Sequence, residues 1–147
     1  MPTTTVRWVT GKQFVGTDER NQSVVLSGDS PAKGVSPSQM LLVALSACTA
    51  YDVLEIMAKK RKPLAMLEIT ASGDQDPKPP WAYRRIHLKY RVSGNALTEQ
   101  ALAQAVELSL DKYCSVAATV RGVATLSTEI EIVPLPATAV LPEGPAG

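Results

Sequence analysis

The chain has 147 residues, enough for one domain that buries roughly two thirds of its unfolded surface. With 45% hydrophobic and 20% charged residues, the composition is globular and excludes a disordered chain. A net charge of +1 gives no general reason to bind nucleic acid or an anionic lipid surface, and two cysteines are too few for a disulfide scaffold, so a cytoplasmic setting with reduced thiols is expected.

The first residues, Met1-Pro-Thr-Thr-Thr-Val-Arg-Trp, hold no charged leader followed by an apolar run, and no signal peptide is expected. Val6 and Trp8 alternate with Arg7 and Val9 as in a strand. Phe14 and Val15, between two turn-rich stretches, and then Val24-Val25-Leu26 complete a meander of three strands. After a loop, Ser36-Pro37-Ser38-Gln39 is a helix start: Ser36 can cap, Pro37 suits the first helical position and Gln39 can close a capping box. The helix runs to about Arg61, where Lys59, Lys60, Arg61 and Lys62 meet the negative end of its dipole and Pro63 stops it. That is roughly 25 residues, or about 37 Å.

Residues 40–58 of this helix are apolar on nearly every face. Asp52 and Glu55 argue against a membrane span, because a charge costs several kcal/mol at a bilayer centre. A buried helix is expected instead. It must be covered all round, which one chain with about six short strands would struggle to do, so a second subunit is inferred.

Residues 64–72 read as a strand and 73–80 as a loop. The next strand is clear: Ile86, Leu88, Tyr90 and Val92 face one way and His87, Lys89 and Arg91 the other. Thr98 caps a helix from Glu99 to about Lys112, with Leu102, Ala105, Val106 and Ser109 on one face. A second helical piece, 114–121, ends at Gly122, and 125–133 alternates as a strand. Residues 134–147, rich in Pro, Ala and Gly, read as a mobile tail after a single domain over 1–133. The order β-β-β-α-β-β-α-α-β, without a Gly-rich phosphate loop, predicts an α+β fold rather than a Rossmann or P-loop one.

Both cysteines fall on helices among small neighbours, in Ser46-Ala47-Cys48-Thr49-Ala50 and Tyr113-Cys114-Ser115-Val116-Ala117. A buried cysteine is most often an apolar filler. A pair can do more: one thiolate opens a peroxide and becomes a sulfenic acid, and a second thiol condenses with it to a disulfide, provided the Cα atoms come within about 7 Å. A free thiol with pKa about 8.5 is only a few per cent ionised at pH 7. A helix N-terminus lies near Cys114 only, so Cys48 needs a nearby cation, and a charged Asp52 one turn on would oppose its ionisation. With one histidine, His87, a closed zinc site would need carboxylates, and no metal or cofactor is expected. Lys59 to Lys62 read as a helix end rather than a nucleic-acid patch. Trp81 either roofs an apolar substrate mouth or packs within its loop.

The segment from Ser36 to Cys48 resembles the helix motif of the OsmC/Ohr family, that of osmotically inducible protein C and organic hydroperoxide resistance protein. Cys48-Thr49-Ala50-Tyr51-Asp52-Val53 and Asp111-Lys112-Tyr113-Cys114-Ser115-Val116-Ala117 are similar to its YhfA-like branch, and the similarity extends over about 4–133. The resemblance implies an intertwined homodimer with long helices between two sheets and active sites at the subunit interface. It implies that Cys48 attacks the peroxide, that Cys114 resolves, and that a cellular dithiol, often lipoyl-bearing, is the reductant. Two positions depart from the family pattern. Ser38 stands ten residues before Cys48, where the hydroperoxidases have glutamate, and Lys12 and Gln13 occupy the turn that carries their activating arginine. Arg20 is the candidate replacement for that arginine and Glu55, seven residues after Cys48, for the carboxylate. The expected function is therefore thiol-dependent reduction of organic hydroperoxides or hydrogen peroxide. The alternatives are a small-ligand-binding or redox-sensing protein on the same fold, and a thiol enzyme acting on another electrophile.

Overall fold

The computed structural model describes residues 1–135, so the expected tail lies outside the described residues except for Pro134 and Leu135. The chain divides into two compact units, the first being Met1–Leu41 and the second beginning at Leu42.

The first unit is an antiparallel meander of β1 (Thr5–Thr10), β2 (Gln13–Thr17) and β3 (Ser23–Ser27), in the order β1-β2-β3. Gly11, at φ +52, makes the tight β1–β2 turn, and Trp8 Nε1 donates to its carbonyl at 2.8 Å. Asp18 organises the β2–β3 turn by accepting backbone N–H bonds from Arg20 and Gln22. The alternation read in β1 does not become one buried face. Val6, Trp8 and Val9 are all exposed.

Helix α1 (Pro37–Lys59) starts where Pro37 fixes the first turn, with Met40 N–H donating to the Ser36 carbonyl. It ends in a Schellman motif. Lys62 N–H donates to the Met57 carbonyl and Arg61 N–H to that of Ala58, with Arg61 left-handed at φ +58. By length and composition α1 is apolar enough to cross a membrane. Here one stripe at i, i+4 spacing, Leu45, Thr49, Val53 and Met57, is buried in the second unit. Val43, Tyr51 and Leu54 stay exposed on the other faces.

The second unit carries the sheet β4-β5-β6, with β4 (Leu64–Gln75), β5 (Tyr83–Gly94) and β6 (Thr125–Ile132). The β4–β5 hairpin is longer than the sequence suggests, since β4 continues beyond Ser72 through Gly73, Asp74 and Gln75. Two ion pairs hold that extension together: Asp74–Arg85 at 2.8 Å, and Asp76 with the Arg84 guanidinium. Helix α2 (Glu99–Leu108) starts at Thr98, whose Oγ1 accepts from Ala101 N–H. It gives way to a π-helical turn at Ser109–Tyr113, then to the short α3 (Ser115–Val120). This helical crossover returns the chain so that β6 pairs parallel with β5, a connection that needs a dozen or more residues.

Ile86, Leu88, Tyr90 and Val92 of β5 form the core with Leu45, Val53 and Met57 of α1 and Leu102, Ala105 and Val106 of α2. The opposite face of β5 places His87, Lys89 and Arg91 in an exposed ladder with Glu129, Glu131 and Glu68. Each such pair is worth at most about 1 kcal/mol, so this face is solvated rather than structural.

Candidate thiol site

The second unit brings Cys48 and Cys114 together. Cys48 is half-buried on α1, next to the fully buried Thr49. Cys114 reaches it through the π turn. Its N–H donates to the Ser109 carbonyl at 2.7 Å, five residues back, and its backbone then turns extended at φ −76, ψ 105. From there Cys114 caps α3, its sulfur accepting from Ala117 N–H at 3.3 Å. The α-helix expected to run from Glu99 to about Lys112 thus stops at Leu108. The Ser109 carbonyl serves the i+5 amide instead, and beyond this wider turn Cys114 is buried.

Cys114 is only 2% exposed. Burial pushes its thiol up to about 11, and the hydrogen bond and charge of the adjacent Cys48 side chain push the same way. The backbone N–H groups of Ala117 and Val116 oppose the rise without cancelling it. Cys114 is therefore a protonated thiol at neutral pH, and both cysteines are free.

Beside the thiols lies a buried run of hydroxyls that was not expected from the sequence. Tyr90 Oη is 2.9 Å from Thr49 Oγ1, Thr49 Oγ1 is 3.0 Å from Ser109 Oγ, and Ser109 donates to Asp52 Oδ2 at 2.7 Å. Burial pushes the Tyr90 hydroxyl up to about 12, opposed by its bond to Thr49 and assisted by the charges of Cys114 and Asp52. Asp52, read in the sequence only as a charge opposing Cys48, is held by this run. The signal for it was present: Thr49 interrupts an apolar helix, and Ser109 shares a helix face with Leu102, Ala105 and Val106.

Arg20 belongs to the first unit, where its guanidinium pairs with Asp18 at 3.1 Å and is 79% exposed. Asp18 is held below the ordinary carboxylate range by Gln22 N–H first, with Arg20 adding to it. Glu55 is exposed on α1. His87 bonds Ser127 and Glu129 on the solvated face. The basic run after α1 is a helix end, with Lys60 Nζ donating to Gln104. Trp81 stands exposed at φ +54 in the β4–β5 loop, its carbonyl accepting from Gln75. Among the described residues, no three His, Cys, Asp or Glu side chains cluster as a metal site.

Residues 28–129 match the OsmC-like protein family. The chain is 33% identical over 128 residues to protein YhfA of Escherichia coli K12, covering 87% of this chain and 96% of the relative. A crystal structure of a hypothetical protein from Aquifex aeolicus is similar at TM-score 0.82 and 30% identity, over 92% of this chain and 98% of the other. The fold also matches an OsmC-like protein from Mycoplasma pneumoniae at TM-score 0.79 and 17% identity, over 90% and 97% of the two chains. The organic hydroperoxide resistance protein OhrB of Bacillus subtilis matches at TM-score 0.60 and 14% identity, over 89% and 98%. The chain belongs to the OsmC-like family.

Proposed function

We propose that this protein is a cytoplasmic two-cysteine thiol peroxidase that reduces organic hydroperoxides or hydrogen peroxide in oxidative-stress defence. The juxtaposition of Cys48 and Cys114, 66 residues apart in sequence, carries the reading. The Cys48 thiolate attacks the distal peroxide oxygen and the O–O bond breaks. The departing alkoxide takes a proton to leave as the alcohol, and Cys48 is left as sulfenic acid. The Cys114 sulfur then displaces the sulfenic oxygen, which leaves as water with the Cys114 proton, and the Cys48–Cys114 disulfide forms. A dithiol, lipoyl-bearing in the cell, reduces that disulfide and is itself oxidised.

The roles follow from the environments. Cys48 is the more accessible sulfur, and Cys114 is buried and protonated, suited to the second step. In this reading Arg20 supplies the cation that favours the Cys48 thiolate, which requires sharing it with Asp18, and Glu55 stands in for the missing carboxylate at Ser38. The working unit is a homodimer. The apolar side chains that one chain leaves exposed on α1 and β1 support this.

The test is consumption of cumene hydroperoxide by the purified protein with dithiothreitol or dihydrolipoamide. Multiple turnovers support the reading, and none sinks it. The raised Cys114 thiol and Ser38 favour a second reading, redox sensing or ligand holding without rapid turnover. Stoichiometric disulfide formation without turnover is its signature.

A further inference from the structure

Ser109 touches both cysteine-bearing segments at once. Its side chain is fully buried, with Oγ 2.7 Å from Asp52 Oδ2 and 3.0 Å from Thr49 Oγ1, both on α1. Asp52 lies one helical turn from Cys48 and Thr49 is its neighbour, so both move with the Cys48 backbone. The carbonyl of the same residue accepts the Cys114 N–H at 2.7 Å and closes the π turn. Ser109 Oγ is the donor toward both Asp52 and Thr49, and Thr49 Oγ1 also lies 2.9 Å from Tyr90 Oη, so one run of buried contacts joins β5, α1 and the π turn.

We propose that Ser109 is a positioning residue that sets the separation of the two sulfurs: its side chain fixes it to the helix of Cys48, and its carbonyl fixes the amide of Cys114. The proposal rests on the thiol-pair reading above. It gives the π turn a purpose, since an α-helical turn would pair the Ser109 carbonyl with Tyr113 and hand the Cys114 amide to Leu110, so that Ser109 no longer held it. Ser109 is not one of the reacting groups. It acts by holding the thiols near the geometry of their disulfide, and so favours ring closure over two separate thiols.

The full-length protein is equilibrated in glutathione buffers of graded composition, the thiols are blocked, and the Cys48–Cys114 disulfide is read by mass. No peroxide is involved. Ser109→Ala and Asp52→Ala are each expected to lower the equilibrium constant for the disulfide about tenfold, the size expected for a lost hydrogen bond to a charged group. Asp52→Asn keeps an acceptor oxygen and removes the charge, and is expected to stay within about threefold of wild type. Urea midpoints are measured alongside, because a merely structural role lowers the midpoint and leaves the disulfide equilibrium unchanged. If Ser109→Ala does not fold, the contrast between Asp52→Ala and Asp52→Asn decides. A folded Ser109→Ala or Asp52→Ala with the wild-type constant overturns the proposal, as does Asp52→Asn falling as far as Asp52→Ala, which would assign the effect to charge. A wild type that forms no Cys48–Cys114 disulfide overturns it together with the thiol-pair reading.

Discussion

The Ala117 N–H donates to the Cys114 sulfur across 3.3 Å, so a thiol caps the helix it precedes. A helix N-terminus favours negative charge by about 0.3–1 kcal/mol, less than one pKa unit. Burial of a thiol can move the pKa by several units the other way. At Cys114 burial wins, and the thiol is pushed up to about 11. The helix dipole therefore does not make Cys114 the nucleophile.

The two thiols should show this order in their variants. Cys48→Ser is expected to abolish peroxide turnover. Cys114→Ser should consume about one equivalent and stall, with sulfenic acid then sulfinic acid on Cys48 by mass spectrometry. Arg20→Ala should slow the first step without unfolding the protein. The reverse pattern between the cysteine variants would show the roles to be exchanged.

Stability should fall on the alkaline side. The Cys114 thiol is raised from 9.0 to about 11, so between those pH values the folded state keeps a proton that the unfolded state has lost. Stability therefore falls as pH rises through this window, by up to about 2–3 kcal/mol, and the contribution is fully present below pH 9. Tyr90, raised from 10.0 to about 12, adds a loss of the same sign one unit higher. Urea midpoints across this range should show a shallower decline for Cys114→Ser, and an unchanged slope would contradict the assignment.

Arg61 ends α1 in the left-handed region at φ +58, where a side chain costs about 1 kcal/mol and glycine does not. Arg61→Gly should stabilise the fold by roughly 0.5–1 kcal/mol, read as a higher urea midpoint with an unchanged slope. A lower midpoint would mean that the Arg61 side chain contributes more than its backbone costs.

The exposed apolar faces of α1 bear on assembly. Sedimentation equilibrium at micromolar concentration should give a dimer, and Leu54→Glu, at a position now 45% exposed, should weaken it at least tenfold. A folded wild-type monomer would remove the second copy from the reading.

Much of the fold was legible because local signals agree. Pro37 starts α1 and Pro63 follows its end, Thr98 caps α2, and the apolar alternation of β5 is uninterrupted from Ile86 to Val92. The extent of β4 was not, because Gly73, Asp74 and Gln75 look like a loop until Arg85 is placed opposite Asp74. The π turn was hidden for a related reason. Leu102, Ala105, Val106 and Ser109 keep the α-helical period up to the point where it breaks, and no Gly or Pro marks the break. Both cysteines were found by residue type alone. The hydroxyl run was not, since nothing local tells Thr49 that Tyr90 of β5 will lie opposite.

The π turn also makes the meeting of the sulfurs depend on how the chain between Ser109 and Cys114 is wound. An α-helix advances about 100° per residue, so the same steps wound as a plain helix instead of a π turn would swing the sulfur about a quarter-turn round the axis. Such a chain would keep both cysteines and every strand described here, and an alignment would still pair its sulfurs. What it would lack is their meeting, a change written in geometry rather than in sequence.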